Sequence, residues 1–448
     1  MQSQEMIDLC LRHSLFSWSA TGKVDPMPIA RAEGVYLYSP EGQRWIDFNS
    51  QLMSVNIGHG HPRVIRAIQE QAATLAYAYP GMATEARARL SKRLAELCPG
   101  DLNTFFYTLG GAEANENAIK AARLFTGRHK ILTRYRSYHG ATHGAISLTG
   151  DARRWPSEPG MAGVVRVMDP RPYSYSFGAS DEEVTANNLR YTEEVIQYEG
   201  PRNIAAMIIE TVTGTNGILP PPAGYLSGLK KLLDAHGILL ICDEVMCGWG
   251  RTGRLFAFQH SQNDPGNPAG IQPDIVTMAK GLTSSYLPLG VMAVSDRIAN
   301  HFRENVFWGG LTYNAHPMCL AAALAAVDVL VEEKMVEHAA AMGQVMRQHM
   351  ARMRASHPCV KEHRSIGLFG AIELRRSAKN EPLVPYNGSH PVMAKLGKFL
   401  RANGLFTLLQ GSMVMCNPPL CIREDQLAEA FGILDQGLAL VDEVFEAR

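Results

Sequence analysis

An excess of charge of one sign is missing from this sequence. Its 448 residues carry 43 lysine and arginine side chains against 43 aspartate and glutamate side chains. No basic excess indicates nucleic acid, and the chain has no acidic tail. No apolar run approaches the roughly 20 residues that cross a bilayer. We therefore predict neither a nucleic-acid partner nor a membrane partner.

Cysteine is also sparse, with eight residues and no Cys-x-x-Cys pair. This spacing excludes a disulfide scaffold, a zinc ribbon and a thioredoxin-like motif. The stretch Met1–Asp8 has neither the basic start nor the apolar core of a secretory signal. The expectation is therefore a reduced, soluble, cytoplasmic enzyme.

The chain does have length and apolar content, since 46% of its residues are hydrophobic. A chain of this size divides into about two or three domains. We predict an N-terminal segment over residues 1–60 that contributes to a small domain. A large domain over residues 61–325 and a C-terminal small domain over residues 326–448 complete the predicted organisation.

Short apolar segments alternate with helical periodicity between about residues 85 and 320. The apolar segments are residues 105–107, 130–132, 164–167, 204–209 and 238–242. Such alternation predicts an α/β fold with a mostly parallel sheet flanked by helices. Residues 151–190, rich in Pro, Gly, Tyr and Ser, predict a long surface excursion. Residues 317–350 predict one long helical stretch, and a smaller α+β domain follows it.

Three ionisable residues follow predicted strands: Glu210, Asp243 and Lys280. Parallel sheets bind ligands at the carboxyl ends of their strands, so these side chains are candidates for one site. A buried carboxylate at Asp243 is costly unless it is paired, and a protonated pyridine nitrogen would be a suitable partner. Each residue alone also has an ordinary interpretation, with Lys280 as a solvated loop lysine and Asp243 as a helix cap.

Gly110 and Gly111 directly precede a predicted helix. Backbone N–H groups at a helix N-terminus form a site for phosphate, although a tight strand-to-helix turn would use the same glycines. Tyr138 follows another strand and could stack on a planar cofactor. Packing without a ligand is the alternative for this ring.

Two stretches match known motif patterns but lack the surrounding features that those motifs require. His139 and His143 have the i, i+4 spacing of a zinc site, but Gly140 stands where a metalloprotease needs glutamate, so we predict no metal. Residues 248–253 match the pattern Gly-x-Gly-x-x-Gly. No long amphipathic helix follows them, and residues 243–245 separate them from the strand, which argues against a dinucleotide site.

Together, the ordered motifs resemble the class III pyridoxal-phosphate-dependent aminotransferases over nearly the whole chain. The matching stretches are residues 110–116, 138–140, Glu210 with Gly214, 243–245, 248–253, 279–281 and 310–317. Residues 48–53, 110–120, 134–142 and 210–217 are similar to taurine–pyruvate aminotransferases and related ω-amino acid–pyruvate transaminases. The resemblance implies fold type I, with a mostly parallel sheet of seven strands in the large domain and a smaller α+β domain.

The resemblance also implies pyridoxal 5'-phosphate as cofactor and a role for each matched residue. Lys280 would be the catalytic Schiff-base lysine. The other implied cofactor-binding residues are Gly110, Gly111, Ala112, Tyr138, His139, Glu210, Asp243, Val245 and Thr312. The implied substrate pocket consists of Trp18, Met53, Tyr79, Tyr138 and Leu408. Thr312 would reach the phosphate in the partner subunit, which implies a homodimer with shared sites; pairing of dimers into a tetramer stays open.

Two positions depart from the family pattern. Relatives often have a serine where this chain has Gly110, so backbone donors and Thr312 would carry the phosphate. Many relatives place a mobile arginine, which binds the keto-acid carboxylate, where this chain has Leu408.

The resemblance implies transfer of an amino group from an ω-amino donor to pyruvate or a similar keto acid by a ping-pong mechanism. Taurine is the first candidate donor, followed by β-alanine, other ω-amino acids and simple amines. An aminomutase or racemase of the same fold is the alternative. Such an enzyme would need no keto-acid acceptor.

Overall fold

A seven-stranded sheet forms the centre of the computed structural model, which describes residues 1–447. Its strand order is β4-β10-β9-β8-β7-β5-β6. The strands are β4 (Thr104–Thr108), β5 (Lys130–Arg134), β6 (Val164–Val167), β7 (Ile204–Glu210), β8 (Leu239–Asp243), β9 (Ile275–Met278) and β10 (Gly290–Val294). Strand β10 runs antiparallel to both of its neighbours, and the other paired strands are parallel. This confirms the predicted α/β class.

Helices cover both faces of this sheet, which explains why β7 and β8 are apolar along their length and buried at every residue. The helices are α1 (Ser3–His13), the single turn α2 (Ser50–Met53), α3 (Pro62–Thr74), α4 (Glu85–Leu97), α5 (Gly111–Thr126), α6 (His143–Leu148), α7 (Asp181–Glu199), α8 (Tyr225–Ala235), α9 (Asp296–Glu304), α10 (Pro317–Glu332), α11 (Met335–Ser356), α12 (Pro391–Ala402) and α13 (Glu424–Asp442).

Two four-stranded sheets lie outside the central sheet, in the orders β1-β2-β3-β13 and β11-β12-β15-β14. Their strands are β1 (Arg31–Glu33), β2 (Tyr36–Tyr38), β3 (Arg44–Asp47), β11 (Val360–Ile366), β12 (Phe369–Leu374), β13 (Leu405–Phe406), β14 (Leu409–Gln410) and β15 (Met413–Cys416). Strand β3 pairs in parallel with β13, so the two ends of the chain share a sheet. This shared sheet supports our proposal that residues 1–60 join the C-terminal small domain.

Two predicted stretches differ in detail from the structure. The helical stretch predicted over residues 317–350 divides into α10 and α11, because Lys334 between them has φ +53°, outside the helical range. The predicted surface excursion over residues 151–190 includes the first half of α7. Ser180 caps this helix by accepting a hydrogen bond from the Glu183 N–H, and acidic residues in the first turn suit its dipole.

None of the helices formed by residues 1–447 combines the length and the apolar character needed to cross a membrane.

Candidate active site

The carboxyl ends of five strands meet at one edge of the central sheet, where a cavity of about 980 Å³ opens. The predicted site residues that line this cavity are Trp18, Met53, Gly110, Gly111, Ala112, Tyr138, His139, Glu210, Asp243, Val245, Lys280 and Leu408. Two predicted residues, Tyr79 and Thr312, lie outside it and are exposed. The fold therefore gathers residues that are up to 390 positions apart in the sequence.

Lys280 follows β9 at the bottom of the cavity, in a turn where its φ is +46°. Side chains other than glycine rarely adopt this conformation, so the surrounding packing must hold it. Burial lowers the pKa of the Lys280 amine, and the nearby carboxylates of Asp243 and Glu210 oppose that shift. A lowered pKa increases the fraction of neutral amine, which is the nucleophilic form.

Asp243 ends β8 and is held by three donors. Its Oδ2 accepts from Asn115 Nδ2 and lies 2.8 Å from His139 Nδ1, and its Oδ1 accepts from the Val245 N–H at 3.0 Å. Asn115 is itself oriented because Thr277 Oγ1 donates to its Oδ1 at 2.7 Å. These contacts fix the carboxylate in one orientation, as a buried charge requires.

Glu210 ends the neighbouring strand β7, opposite Asp243 in the sheet register. Its two carboxylate oxygens accept from the N–H groups of Tyr138 and Gly214, each at 2.9 Å. Burial raises the pKa of Glu210, and the charge of Asp243 adds to this shift. Glu210 therefore positions the backbone of Tyr138 next to the cavity.

Helix α5 begins at the cavity wall with no side chain capping its N-terminus. The N–H groups of Gly111 and Ala112 have no protein acceptor among residues 1–447. A Cβ at Gly111 would lie 2.7 Å from Val245 Cγ1, so only glycine permits this close approach. Free N–H groups at the positive end of a helix are suited to an anion such as phosphate.

Tyr138 forms one side wall of the cavity. Its ring meets the Trp18 ring edge-on with centroids 6.0 Å apart. The Arg153 guanidinium carbon lies 3.8 Å from the Tyr138 ring centroid. Burial raises the pKa of Tyr138, and the positive charge of Arg153 partly offsets this.

Arg153 is a cavity residue that the sequence analysis missed. Its Nη2 donates to Thr215 Oγ1 at 2.7 Å, and its Nε lies 3.1 Å from both oxygens of Asp151. Nη1 has no protein acceptor in the described part of the chain. The sequence analysis assigned Arg153 to the surface excursion over residues 151–190, whereas it lies in the short helix Ala152–Ser157 beside Tyr138 and Thr215.

The sequence analysis also missed Asn115, although residues 110–116, which include it, contributed to the family resemblance. It lies in α5 and contacts Asp243, which is 128 positions away in the sequence. Its spacing from Gly111 places it one helical turn inside α5, on the side that faces the sheet. This periodicity would have been the signal for finding it.

The wall formed by α2 contains strained backbone. Ser50, Gln51 and Met53 have φ of +47°, +58° and +51°. Asp47 accepts from the Gln51 N–H at 3.0 Å, and Asn49 Nδ2 donates to the Gln51 carbonyl at 2.7 Å. Strain of this kind persists only where surrounding contacts hold it, and here it presents Met53 to the cavity.

A buried lysine, an anchored aspartate and a free helix N-terminus at one sheet edge are the features of a pyridoxal-phosphate enzyme. Residues 19–438 match the family described as aminotransferase class-III, and the chain belongs to this family of pyridoxal-phosphate-dependent enzymes.

Among solved structures, the chain is similar to the taurine:2-oxoglutarate aminotransferase from Bifidobacterium kashiwanohense. The two are 39% identical, each is covered over 99% of its length, and the TM-score is 0.94. An (S)-enantioselective ω-transaminase from Thermomicrobium roseum is 36% identical, with 98% of each chain covered and a TM-score of 0.91. The putrescine–pyruvate aminotransferase of Pseudomonas aeruginosa is 31% identical over 92% of this chain and 91% of its own.

The residues present fit pyridoxal 5'-phosphate. The cavity offers an amine at Lys280, a carboxylate at Asp243 for the pyridine nitrogen, and free N–H groups at Gly111 and Ala112 for the phosphate. Val245 and Tyr138 both line the same space and could contact the ring. The individual role of each residue stays a prediction.

Proposed function

We propose that this enzyme transfers an amino group from an ω-amino donor with an acidic group, taurine first, to pyruvate or a similar small keto acid. The observation that carries this proposal is Arg153, which lines the cavity and pairs with Asp151 through Nε and Nη2, while its Nη1 has no acceptor in the described part of the chain. Its side chain is 22% exposed, so it reaches both the cavity and solvent. A sulfonate or carboxylate is the natural ligand of a guanidinium in such a position.

Arg153 would serve both halves of the reaction. Leu408 occupies the position where many relatives carry the keto-acid arginine, and it lines the cavity as an apolar side chain. Apart from Lys280, Arg153 is the one lysine or arginine that lines the cavity among residues 1–447. A keto acid with one carboxylate can satisfy this single cation, whereas a diacid would leave its second carboxylate without a cation. This favours pyruvate over 2-oxoglutarate as acceptor.

The bound cofactor would supply the electron sink that stabilises negative charge at the substrate carbon. Lys280 Nζ would move the proton between that carbon and the cofactor. Asp243, held by Asn115 and His139, would keep the pyridine nitrogen protonated. Tyr138 and Val245 would hold the ring between them and exclude water from it.

We further propose a homodimer with shared sites. Thr312 and Tyr79 are exposed in the single chain, as are the neighbouring apolar side chains of Tyr77, Met82 and Trp308. Trp308 is 70% exposed, and a cluster of exposed apolar groups favours burial against another chain. Light scattering at micromolar concentration should give twice the mass of one chain, and a monomer would contradict the proposal.

The experiment for the donor is a panel of taurine, β-alanine, putrescine and an uncharged aryl amine, each with pyruvate or 2-oxoglutarate. We expect alanine from taurine and pyruvate, and little glutamate from 2-oxoglutarate. Conversion of a substrate without any keto acid would instead indicate the aminomutase or racemase alternative.

Arg153→Gln should raise the KM for taurine by about 100-fold, as the loss of a charge-assisted contact predicts, with the uncharged amine little affected. Arg154→Gln is the matched control, because Arg154 is adjacent in sequence but pairs with Glu158 and does not line the cavity. Equal loss with charged and uncharged donors, or equal loss in both variants, would contradict the role of Arg153.

A further inference from the structure

A second cleft, of about 570 Å³, lies apart from the active-site cavity and shares no lining residue with it. Strand β11 and helix α11 form one side of the cleft, and the segment after β6 forms the other. Five cationic side chains line it: Arg136, Arg171, Arg347, Lys361 and Arg364. Nothing in the proposed transamination uses them.

Three of these cations are already paired with carboxylates. Lys361 lies 2.8 Å and Arg364 lies 2.7 Å from the Glu373 carboxylate, and Arg364 also pairs with Glu362. Arg171 lies 3.0 Å from Asp181. The carboxylates of Glu362, Glu373 and Asp181 are therefore each paired with a cation of the cleft.

The other two cations have no carboxylate partner among residues 1–447. Arg136 Nη1 donates to the Arg171 carbonyl at 3.0 Å and its Nη2 to the Asn216 carbonyl at 2.6 Å. Arg347 Nη2 donates to the Ser365 carbonyl at 3.1 Å. Asp169 accepts from the backbone N–H of Arg136 but forms its ion pair with Arg134. The guanidinium groups of Arg136 and Arg347 therefore line one cleft without an ion-pair partner in the described residues.

Neighbouring charges act on the ionisable groups of the cleft. Burial lowers the pKa of Arg136, the charge of Asp169 opposes that shift, and the charge of Arg364 adds to it. The two guanidinium groups converge, since a Cβ built at Gly217 would lie 3.0 Å from Arg136 Nη2 and 3.5 Å from Arg364 Nη2. Burial and the charges of Arg354 and Arg347 also lower the pKa of His363, which keeps its ring neutral.

Neutral hydrogen-bond donors complete the cleft. The Ser365 hydroxyl is shielded from solvent and has no hydrogen-bond partner in the described residues. The His363 ring also lines the cleft. A buried hydroxyl without a partner costs free energy that a ligand oxygen could recover.

We propose that this cleft binds a compact dianion of the phosphate type, either inorganic phosphate or a phosphomonoester. Two guanidinium groups without an ion-pair partner match a dianion better than a monoanionic sulfonate or carboxylate. Arg347 uses only Nη2 within the described residues, so its Nε and Nη1 are free to donate to a tetrahedral oxyanion. A bound dianion would link β11 and α11 to the segment after β6.

The test is isothermal titration of inorganic phosphate into holoenzyme whose cofactor has been fixed by borohydride, at constant ionic strength. Fixing the cofactor keeps phosphate out of the cofactor's own phosphate site, so the result does not depend on the proposed transamination. We expect saturable binding of one phosphate per chain. Arg347→Gln should weaken it at least tenfold, and because Arg347 is exposed this variant should fold.

Arg352→Gln is the matched control, since Arg352 is an exposed arginine of the same helix that does not line the cleft. Binding should be unchanged in this variant. Phenyl phosphate in place of phosphate tests whether the cleft also accepts a monoester. No saturable binding, equal weakening in both variants, or equally tight binding of succinate would overturn the proposal.

Discussion

At the scale of single residues, Gly110 has space for a side chain, whereas the adjacent Gly111 does not. Gly110 has φ −175° and ψ +178°, an extended backbone that any residue can adopt, and a Cβ there would meet no atom within 4 Å. The adjacent Gly111 is restricted by Val245. Packing therefore requires glycine at position 111 but not at position 110.

We predict that Gly110→Ser binds pyridoxal phosphate more tightly. The added hydroxyl would lie beside the free N–H groups of α5 and could donate to the phosphate. One such bond contributes about 1 kcal/mol, or about a fivefold lower dissociation constant. Fluorescence titration of apoenzyme with cofactor measures it.

Gly111→Ser is the matched control for this prediction. Its Cβ would lie 2.7 Å from Val245 Cγ1, so we expect loss of cofactor binding rather than a gain. If both variants behaved alike, the N-terminus of α5 would not be the phosphate site.

Most of the predicted site residues line the cavity, but the contacts that orient them were not predicted. Glu210, Asp243 and Lys280 follow strands of one sheet, and the rule on strand ends was sufficient to bring them together. Arg153 lies in the short helix Ala152–Ser157, and its side chain is positioned by contacts with Asp151 and Thr215. Hydrogen-bond partners of this kind depend on tertiary structure, which local sequence patterns do not encode.

At the scale of elements, the strained turn α2 is a part of the pocket wall held by a buried polar network. Asn49 Nδ2 donates to the Gln51 carbonyl and lies 3.1 Å from Met53 Sδ. Asn417 Nδ2 donates to Asn49 Oδ1 at 3.1 Å. The position of Met53 in the cavity therefore depends on Asn49.

We predict that Asn49→Ala lowers kcat/KM for the amino donor about tenfold while cofactor binding stays unchanged. Without the amide, the left-handed residues can relax, and a displacement of the wall misplaces the substrate. Steady-state kinetics and the visible absorbance of the bound cofactor separate the two effects. Asn305→Ala, a change at the end of α9, is the control, and equal loss there would contradict the role of the turn.

The short helix Ala257–Asn263 contains a second testable feature, His260. Burial lowers its pKa from 6.5 to about 4, and its Nε2 lies 3.2 Å from the Thr252 carbonyl. Because the folded pKa is below the unfolded value, the unfolded chain binds the proton more tightly. The stability that the neutral ring contributes is fully present above pH 6.5 and is lost as the pH falls toward 4.

We predict that His260→Gln makes the protein less sensitive to acid. At 1.36 kcal/mol per pKa unit, the wild-type penalty between pH 6.5 and pH 4 is about 3 kcal/mol, and the variant lacks it. Glutamine retains a donor for the Thr252 carbonyl. Urea midpoints at pH 7 and pH 4.5 measure the difference, with exposed His13→Gln as control. Parallel pH curves for wild type and His260→Gln would contradict the prediction.

Elements were predictable where their signals are local. Strand β6 was predicted with its observed bounds, because three valines are grouped within four residues that follow a glycine. The break between α10 and α11 was missed, since Lys334 adopts a left-handed conformation that its side chain does not favour. Contacts between helices decide that conformation, and the helical periodicity continues across it.

At the scale of the whole molecule, Arg251 connects distant parts of the chain. It is fully buried. Its Nη1 donates to the carbonyls of Leu368 and Pro418, and its Nη2 to Ser50 Oγ at 2.9 Å and Asn56 Oδ1 at 3.1 Å. Burial lowers its pKa to about 9, so the side chain is still charged at neutral pH.

The motif that contains Arg251 was recognised from the sequence as part of the family pattern, after a dinucleotide site had been rejected for it. Its structural role could not be predicted, because its four partners come from segments before and after it in the chain. The overall fold, by contrast, follows from repeated local patterns. Long-range polar contacts such as those of Arg251 therefore could not be predicted from this sequence.

We predict that Arg251→Met destabilises the protein by at least about 3 kcal/mol, because it leaves two carbonyls and two side-chain groups without their donor in the interior. Arg254→Met, three residues further on at an exposed position, should change the free energy of unfolding by no more than about 0.5 kcal/mol. Urea unfolding of both variants measures this. Since Ser50 begins the strained pocket wall, Arg251→Met should also raise the KM for the donor in the folded protein. Equal stability of the two variants would show that the four contacts of Arg251 contribute nothing to holding the segments together.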